Sequence, residues 1–184
     1  IRDKTMTWGE QNTMEEGHEQ MDYALDQGVN VFDAAELYPI PPKAETQGRT
    51  EECIGSWFKK TGNREKVILA TKVAGRSPMN WFRGDGTKLD RENIETAVEN
   101  CSLVQESSPE RLELKQKLLS TIDKACDTDC VIASSTSGYL VSDLALHCSV
   151  APERILVGHP FNPVYLLPLV ELVAGPQTSS ATMD

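Results

Sequence analysis

The sequence predicts an α/β fold in which a mostly parallel sheet is flanked by helices. Three observations carry that expectation. Short runs of strand type, at 29–32, 67–71, 102–105, 131–134 and 155–158, alternate with longer amphipathic stretches. Such alternation favours parallel neighbours, because parallel strands need crossovers and are buried on both faces. With 184 residues and 39% hydrophobic content, the chain can bury one sizeable core or two small ones, and residues 1–184 are read as a single domain with one sheet.

Residues 12–27 read as an amphipathic helix. Thr13 and Glu16 suit a capping box, Met14, His18, Met21 and Leu25 share one face, and Gly28 can end it. The strand at 29–32 ends in Asp33. A second helix is expected over 51–61, with Ile54, Trp57 and Phe58 inward, Lys59 and Lys60 at its negative end, and Gly62 beyond. After the strand at 67–71 the pattern lapses between 74 and 88, where Gly75, Pro78, Gly84 and Gly86 with Trp81 and Phe82 predict a long loop packed by its own aromatics.

Asp90 can cap a helix to about Asn100, with Ile94, Ala97 and Val98 as the buried stripe. Ser108, Pro109 and Glu110 read as the start of a helix to about Cys126, with Leu114, Leu118, Ile122 and Ala125 on one face. A small helix near 142–147 separates the last two strands of the set. A further apolar run follows at 169–173.

A formal charge of −10 and a pI near 4.8 argue against nucleic acid as a partner, since phosphate-backbone binding is driven by cationic side chains. The five cysteines (Cys53, Cys101, Cys126, Cys130, Cys148) lack zinc-site or redox spacing, so no metal is expected. Scattered thiols, with no apolar leader and no apolar run of membrane length, predict a reducing, cytoplasmic setting without membrane attachment. The composition leaves oligomerisation open.

Two groups of residues point to proton chemistry. Asp33, Tyr38 and Lys72 are expected at the carboxyl ends of neighbouring strands, which converge on one face of a parallel sheet. An ammonium beside a phenol favours the phenolate, and a carboxylate keeps the ammonium charged and placed. The same residue types also serve as caps, packing and surface groups. In the second group, His159 follows the strand at 155–158 and Glu171 lies in the run at 169–173. If the chain folds back between them, the carboxylate can orient the imidazole as an acid–base pair requires, with Ser137 binding the reacting oxygen. The alternative is a histidine opening a Pro-rich turn and a glutamate on a strand edge.

Sequence motifs attach each group to a family. VNVFDAAELYP (29–39), VILATKV (67–73), TMTWGEQ (5–11) and NIETAVE (93–99) resemble the aldo-keto reductases, which implies the opening part of a (β/α)8 barrel with Asp33, Tyr38 and Lys72 as catalytic residues. QESSPERLELKQ (105–116), SSTSG (134–138) and GHPFNPV (158–164) resemble the 3-hydroxyacyl-CoA dehydrogenases, closest to their carnitine dehydrogenase branch. That resemblance implies a Rossmann-like segment in which Ser137, His159 and Glu171 are catalytic, and Glu110 and Asn162 lie toward the cofactor. The expectation is therefore a fold merging half-barrel and Rossmann-like elements, with residues 1–99 of the first kind, 100–184 of the second and the change near 97–103.

Both families use NAD or NADP on a small carbonyl or alcohol. The resemblance implies an oxidoreductase interconverting a secondary alcohol, 3-hydroxyacyl or carnitine-like, and its carbonyl. No G-x-G-x-x-G is present, and the later barrel strands, the histidine strand of the first family and the helical domain of the second are not encoded. Weak or absent cofactor binding follows as an expectation. The competing expectation is a recombined α/β scaffold without turnover.

Overall fold

Thr13 opens the first helix, α1 (Met14–Asp26), through a complete capping box. Its hydroxyl accepts the Glu16 amide at 3.2 Å, and the Glu16 carboxylate accepts the Thr13 amide at 2.8 Å. A cap of this kind stabilises a helix end by about 1 kcal/mol. His18 is buried on the inward face with Nε2 2.7 Å from the Ser56 hydroxyl, a hydrogen-bonded packing residue.

These features belong to a computed structural model that describes residues 8–84, 86–164 and 166–184. Its backbone contacts divide the chain into two units, residues 1–89 and 90–184. Within the TMTWGEQ motif, Thr5, Met6 and Thr7 lie outside the described residues, and Trp8 to Gln11 form a turn.

The first unit continues with β1 (Val31–Asp33), α2 (Arg49–Thr61) and β2 (Ile68–Ala70). β1 and β2 pair in parallel as a two-stranded sheet, with Asp33 opposite Ala70. Trp57, fully buried on α2, packs its ring 5.7 Å from Phe32, and Trp8, Met21, Ile54 and Val67 complete this core. Gly62 ends α2 at φ 69°, where its amide reaches the Phe58 carbonyl at 2.8 Å; a side chain there would be strained. The loop at 74–88 is organised by one 3-10 turn, Phe82–Gly84, and Phe82 is buried against Trp81 with centroids 5.9 Å apart.

The second unit opens with α3 (Arg91–Val98), capped by Asp90, whose carboxylate accepts the Asn93 amide at 3.1 Å. There follow β3 (Leu103–Glu106), α4 (Leu112–Ala125), β4 (Val131–Ser134), α5 (Val141–Leu144), β5 (Ile155–Pro160), β6 (Val170–Ala174) and α6 (Ser180–Met183). The sheet order is β3-β4-β5-β6: the first three strands are parallel and β6 returns antiparallel to β5. The core joins Ile94 and Val98 of α3 to Leu119 and Ile122 of α4, and to Ile132, Leu144, Ile155 and Val157.

The α/β class, with parallel strands flanked by helices, agrees with the sequence expectation, whereas three details differ. The expected single sheet is two sheets, because the strands of 1–89 pair only with each other among the described residues, as do those of 90–184. α4 begins at Leu112 rather than at Ser108 to Glu110, and Glu110 is drawn into side-chain bonds described below. Leu114 and Leu118 are half-buried, while the fully buried stripe of α4 includes Lys115, Leu119, Ile122 and Asp123. Polar residues hold that stripe, which is why apolar periodicity misplaced it.

Candidate active site

The second unit brings Ser137, His159 and Glu171 to one cavity of about 390 Å³, lined also by Tyr139, Val157 and Val173. The pairing follows from sheet register. His159 on β5 stands directly opposite Glu171 on β6, so alternation of side chains across the pleat points both to the same face. Nδ1 of His159 is 3.7 Å from Oε2 of Glu171, within ion-pair reach and longer than a hydrogen bond. The imidazole is further held edge-on by Phe161, with centroids 5.5 Å apart. The histidine side chain is 26% exposed and the glutamate 56%, so the pair opens to solvent on the β6 side.

Ser137 arrives from the loop that follows β4. The hydroxyl of its neighbour Thr136 is accepted by the Glu110 carboxylate. Burial pushes the Glu110 carboxyl up, but the Thr136 hydroxyl, the Lys115 ammonium and the Ser137 amide outweigh it and hold the group below the usual carboxylate range. Asn162 lies exposed in the turn after β5 and, like Glu110, is not among the residues lining the cavity.

Sequence reasoning missed the buried group behind this loop. Lys115 (1% exposed) and Glu106 (3%) form an ion pair at 3.1 Å, and Glu106 also accepts the Ser134 hydroxyl at 2.6 Å. The one signal available was a lysine at a position of α4 where the stripe through Leu119 and Ile122 asks for an apolar residue. Among the described residues no group of three or more His, Cys, Asp or Glu could hold a metal ion, and no helix is long and apolar enough to cross a membrane.

In the first unit, Lys72 Nζ donates to Asp33 Oδ1 and to the Ala34 carbonyl, each at 2.6 Å. The ammonium also sits 5.2 Å from the centroid of the Tyr38 ring. The three residues therefore lie near one another, with the ammonium over the face of the phenol ring. Lys72 and Asp33 are each about half exposed, at 50% and 52%. Glu36 extends this end of the sheet by binding Arg83 at 2.7 Å and the Ala74 amide at 2.8 Å.

Comparison with known proteins resolves what these two groups descend from. Residues 5–103 match the model of the aldo/keto reductase family, and residues 88–184 match that of the 3-hydroxyacyl-CoA dehydrogenase NAD binding domain. Each match spans more than half of the chain.

The chain belongs to both families.

Protein tas of Escherichia coli is 52% identical over 96 residues, covering 51% of this chain and 28% of its own length. The L-carnitine dehydrogenase of Pseudomonas putida is 53% identical over 122 residues, covering 63% of this chain and 38% of its own. The L-carnitine dehydrogenase/betainyl-CoA thioesterase of a Rhizobium species is 56% identical over 93 residues, covering 50% and 18%. These names support the carnitine dehydrogenase branch, and the chain spans well under half the length of each relative. Among solved structures, the (S)-3-hydroxybutyryl-CoA dehydrogenase of Ralstonia eutropha aligns over 91% of this chain and 53% of its own, with a TM-score of 0.48 and 22% identity.

The family of residues 88–184 is named for NAD binding, so the fit of that dinucleotide is a fair test of the second unit. A pyrophosphate needs exposed amides at a helix amino terminus without competing negative charge. The helix after β3, α4, has no side-chain cap at Arg111, is preceded by Glu110 and carries Glu113 in its first turn. α5 has four residues, too few for an amino-terminal site. Neither of these two helix starts offers a pyrophosphate a set of free amides away from carboxylates.

Proposed function

We propose that residues 88–184 carry the proton-transfer site of an NAD(P)-dependent dehydrogenase that interconverts a secondary alcohol, 3-hydroxyacyl or carnitine-like, with its carbonyl. The observation that carries this reading is the convergence of Ser137, His159 and Glu171 on a single cavity. With Nδ1 of His159 turned to the Glu171 carboxylate, Nε2 is the nitrogen available to a substrate hydroxyl. The carboxylate favours the imidazolium that forms when the imidazole takes the hydroxyl proton, and it selects the ring orientation. Ser137 donates a hydrogen bond to the same oxygen in the carbonyl form. In the reverse direction His159 returns the proton to that oxygen.

Asp33, Tyr38 and Lys72 form the second candidate site, for carbonyl reduction in the aldo-keto reductase manner. It ranks below the first, because the motifs that match cover only the opening part of that family's barrel. Cofactor affinity, for NAD or NADP, is weak in this reading, since neither a glycine-rich turn nor a free helix amino terminus supports the pyrophosphate. Glu110 and Asn162 are assigned to the cofactor side by resemblance.

Alcohol oxidation assayed with L-carnitine and with 3-hydroxybutyryl-CoA at millimolar NAD tests the proposal. His159→Ala is expected to abolish turnover. An unchanged rate in that variant overturns the assignment, and no turnover with any substrate favours the scaffold alternative.

A further inference from the structure

The functional reading leaves unused a buried charge that lies behind the Ser137 loop. Lys115 places an ammonium in the interior of α4, 3.1 Å from both carboxylate oxygens of Glu106, 3.1 Å from the Ser108 carbonyl and 3.4 Å from Glu110 Oε2. An ammonium out of water is costly unless paired and hydrogen-bonded, and an apolar side chain would often serve that position as well or better. What an ammonium adds is direction. Through Glu106 it fixes the end of β3, where the Glu106 carboxylate also accepts the Ser108 amide at 2.5 Å and the Ser134 hydroxyl of β4 at 2.6 Å. Through Glu110 it reaches the loop after β4, because that carboxylate accepts the hydroxyl of Thr136, the residue before Ser137. The Thr136 hydroxyl accepts the Tyr139 amide at 3.2 Å, which closes the turn around Ser137.

We propose that Lys115 is a positioning residue for Ser137: its buried ammonium holds Glu110, and Glu110 holds the turn that presents the serine to the cavity. The inference rests on the reading of Ser137 as the oxygen-binding group, but its structural content is independent of turnover. Without the ammonium, two carboxylates would stand near each other at the ends of β3 and its following loop, and Glu110 would lose the cation that keeps it against Thr136 and Ser137.

Amide NMR of the full chain tests this. In the wild type, the Ser137 amide shift follows the ionisation of Glu110, with a midpoint below the ordinary carboxylate value; Lys115, Glu106 and the Tyr139 phenol are the titratable groups facing it. Glu110→Gln keeps an acceptor and removes that titration. The double variant Lys115→Met/Glu106→Gln takes out the buried pair together and strands no charge. It is expected to raise the midpoint toward the ordinary carboxylate value and to lower the Ser137 order parameter from about 0.85 toward 0.6, with Ala133 and Leu156 unchanged. A folded double variant in which Ser137 stays rigid and its midpoint does not move overturns the proposal. So does a wild-type Ser137 amide that fails to titrate with Glu110, a result that needs no variant to fold. Loss of turnover in His159→Ala, with the Ser137 signature intact, keeps the functional reading and this inference separately testable.

Discussion

Replacing Asp123 by alanine should unfold much of the second unit's stability, and the structure allows the size to be worked out. Asp123 is fully buried on α4 and accepts the amides of Ser149 and Val150 at 2.9 Å each and of Ala151 at 3.1 Å. Its other partner is the Arg154 guanidinium at 3.1 Å, 3% exposed in the 3-10 turn that leads into β5. Truncation leaves that cation buried against backbone carbonyls alone, a loss of about 3–5 kcal/mol. Ser149 and Val150 are exposed and can turn to water, while the Ala151 amide is buried and costs about 1 kcal/mol more. The expected total is about 4–6 kcal/mol, against roughly 5–15 kcal/mol for a whole domain.

Urea unfolding followed by far-ultraviolet circular dichroism measures this loss. Burial pushes the Asp123 carboxyl up, but the three amides and Arg154 outweigh it and hold it below its usual value. A depressed folded pKa means that the stabilisation is present above the unfolded value, about 3.9, and is lost as pH falls through the folded one. The wild type should therefore lose stability below about pH 4, and Asp123→Ala should lack that part of the acid dependence. A variant within about 1 kcal/mol of the wild type at pH 7 would refute the reasoning, since no buried pair could then have been broken.

Three further outcomes are expected. Glu171→Gln should lower any alcohol oxidation roughly ten- to a thousandfold, whereas Tyr38→Phe should have little effect; the opposite pattern would move the active machinery to the aldo-keto reductase segment. Isothermal calorimetry should give a dissociation constant for NAD or NADP far above micromolar, and sub-micromolar affinity would show that a phosphate site exists. All three tryptophans, Trp8, Trp57 and Trp81, lie in residues 1–89, so tryptophan fluorescence reports that unit alone. A single domain over 1–184 is a proposal that requires the fluorescence and circular dichroism midpoints of Asp123→Ala to shift together; separate shifts, which two cores would produce, argue for two domains.

Local signals in the sequence were reliable wherever one residue type answers one backbone need. Thr13, Asp90 and Gly62 mark helix ends by chemistry that depends on nothing distant, and all three cap as their spacing predicts. The juxtaposition of His159 and Glu171 was legible for the same reason. A return of the chain after His159 needs only a turn and an apolar run, and the antiparallel register then sets Glu171 opposite. The α4 start was not legible, because Pro109 and Glu110 are good first-turn residues, and what occupies Glu110 instead is its carboxylate's contact with the side chains of Lys115 and Thr136. Lys115 itself breaks the apolar pattern, and a periodicity argument assigns such a residue to solvent.

The border between the two families shows why sequence ancestry and packing can part. NIETAVE resembles the third helix of the aldo-keto reductase barrel, yet α3 sends Ile94 and Val98 into the core formed by α4, β4 and β5. An amphipathic stripe specifies that a face must be buried and says little about which apolar surface covers it. The same distinction separates the two halves of the dehydrogenase chemistry. His159 and Glu171 are neighbours across one antiparallel ladder, so their geometry is fixed by contacts within a short stretch of chain. A pyrophosphate site depends on a strand, a glycine turn and an uncovered helix amino terminus held together by the wider sheet. The facing of His159 and Glu171 is therefore set independently of whatever sets cofactor affinity, so the proposed weak nucleotide binding is compatible with that pair.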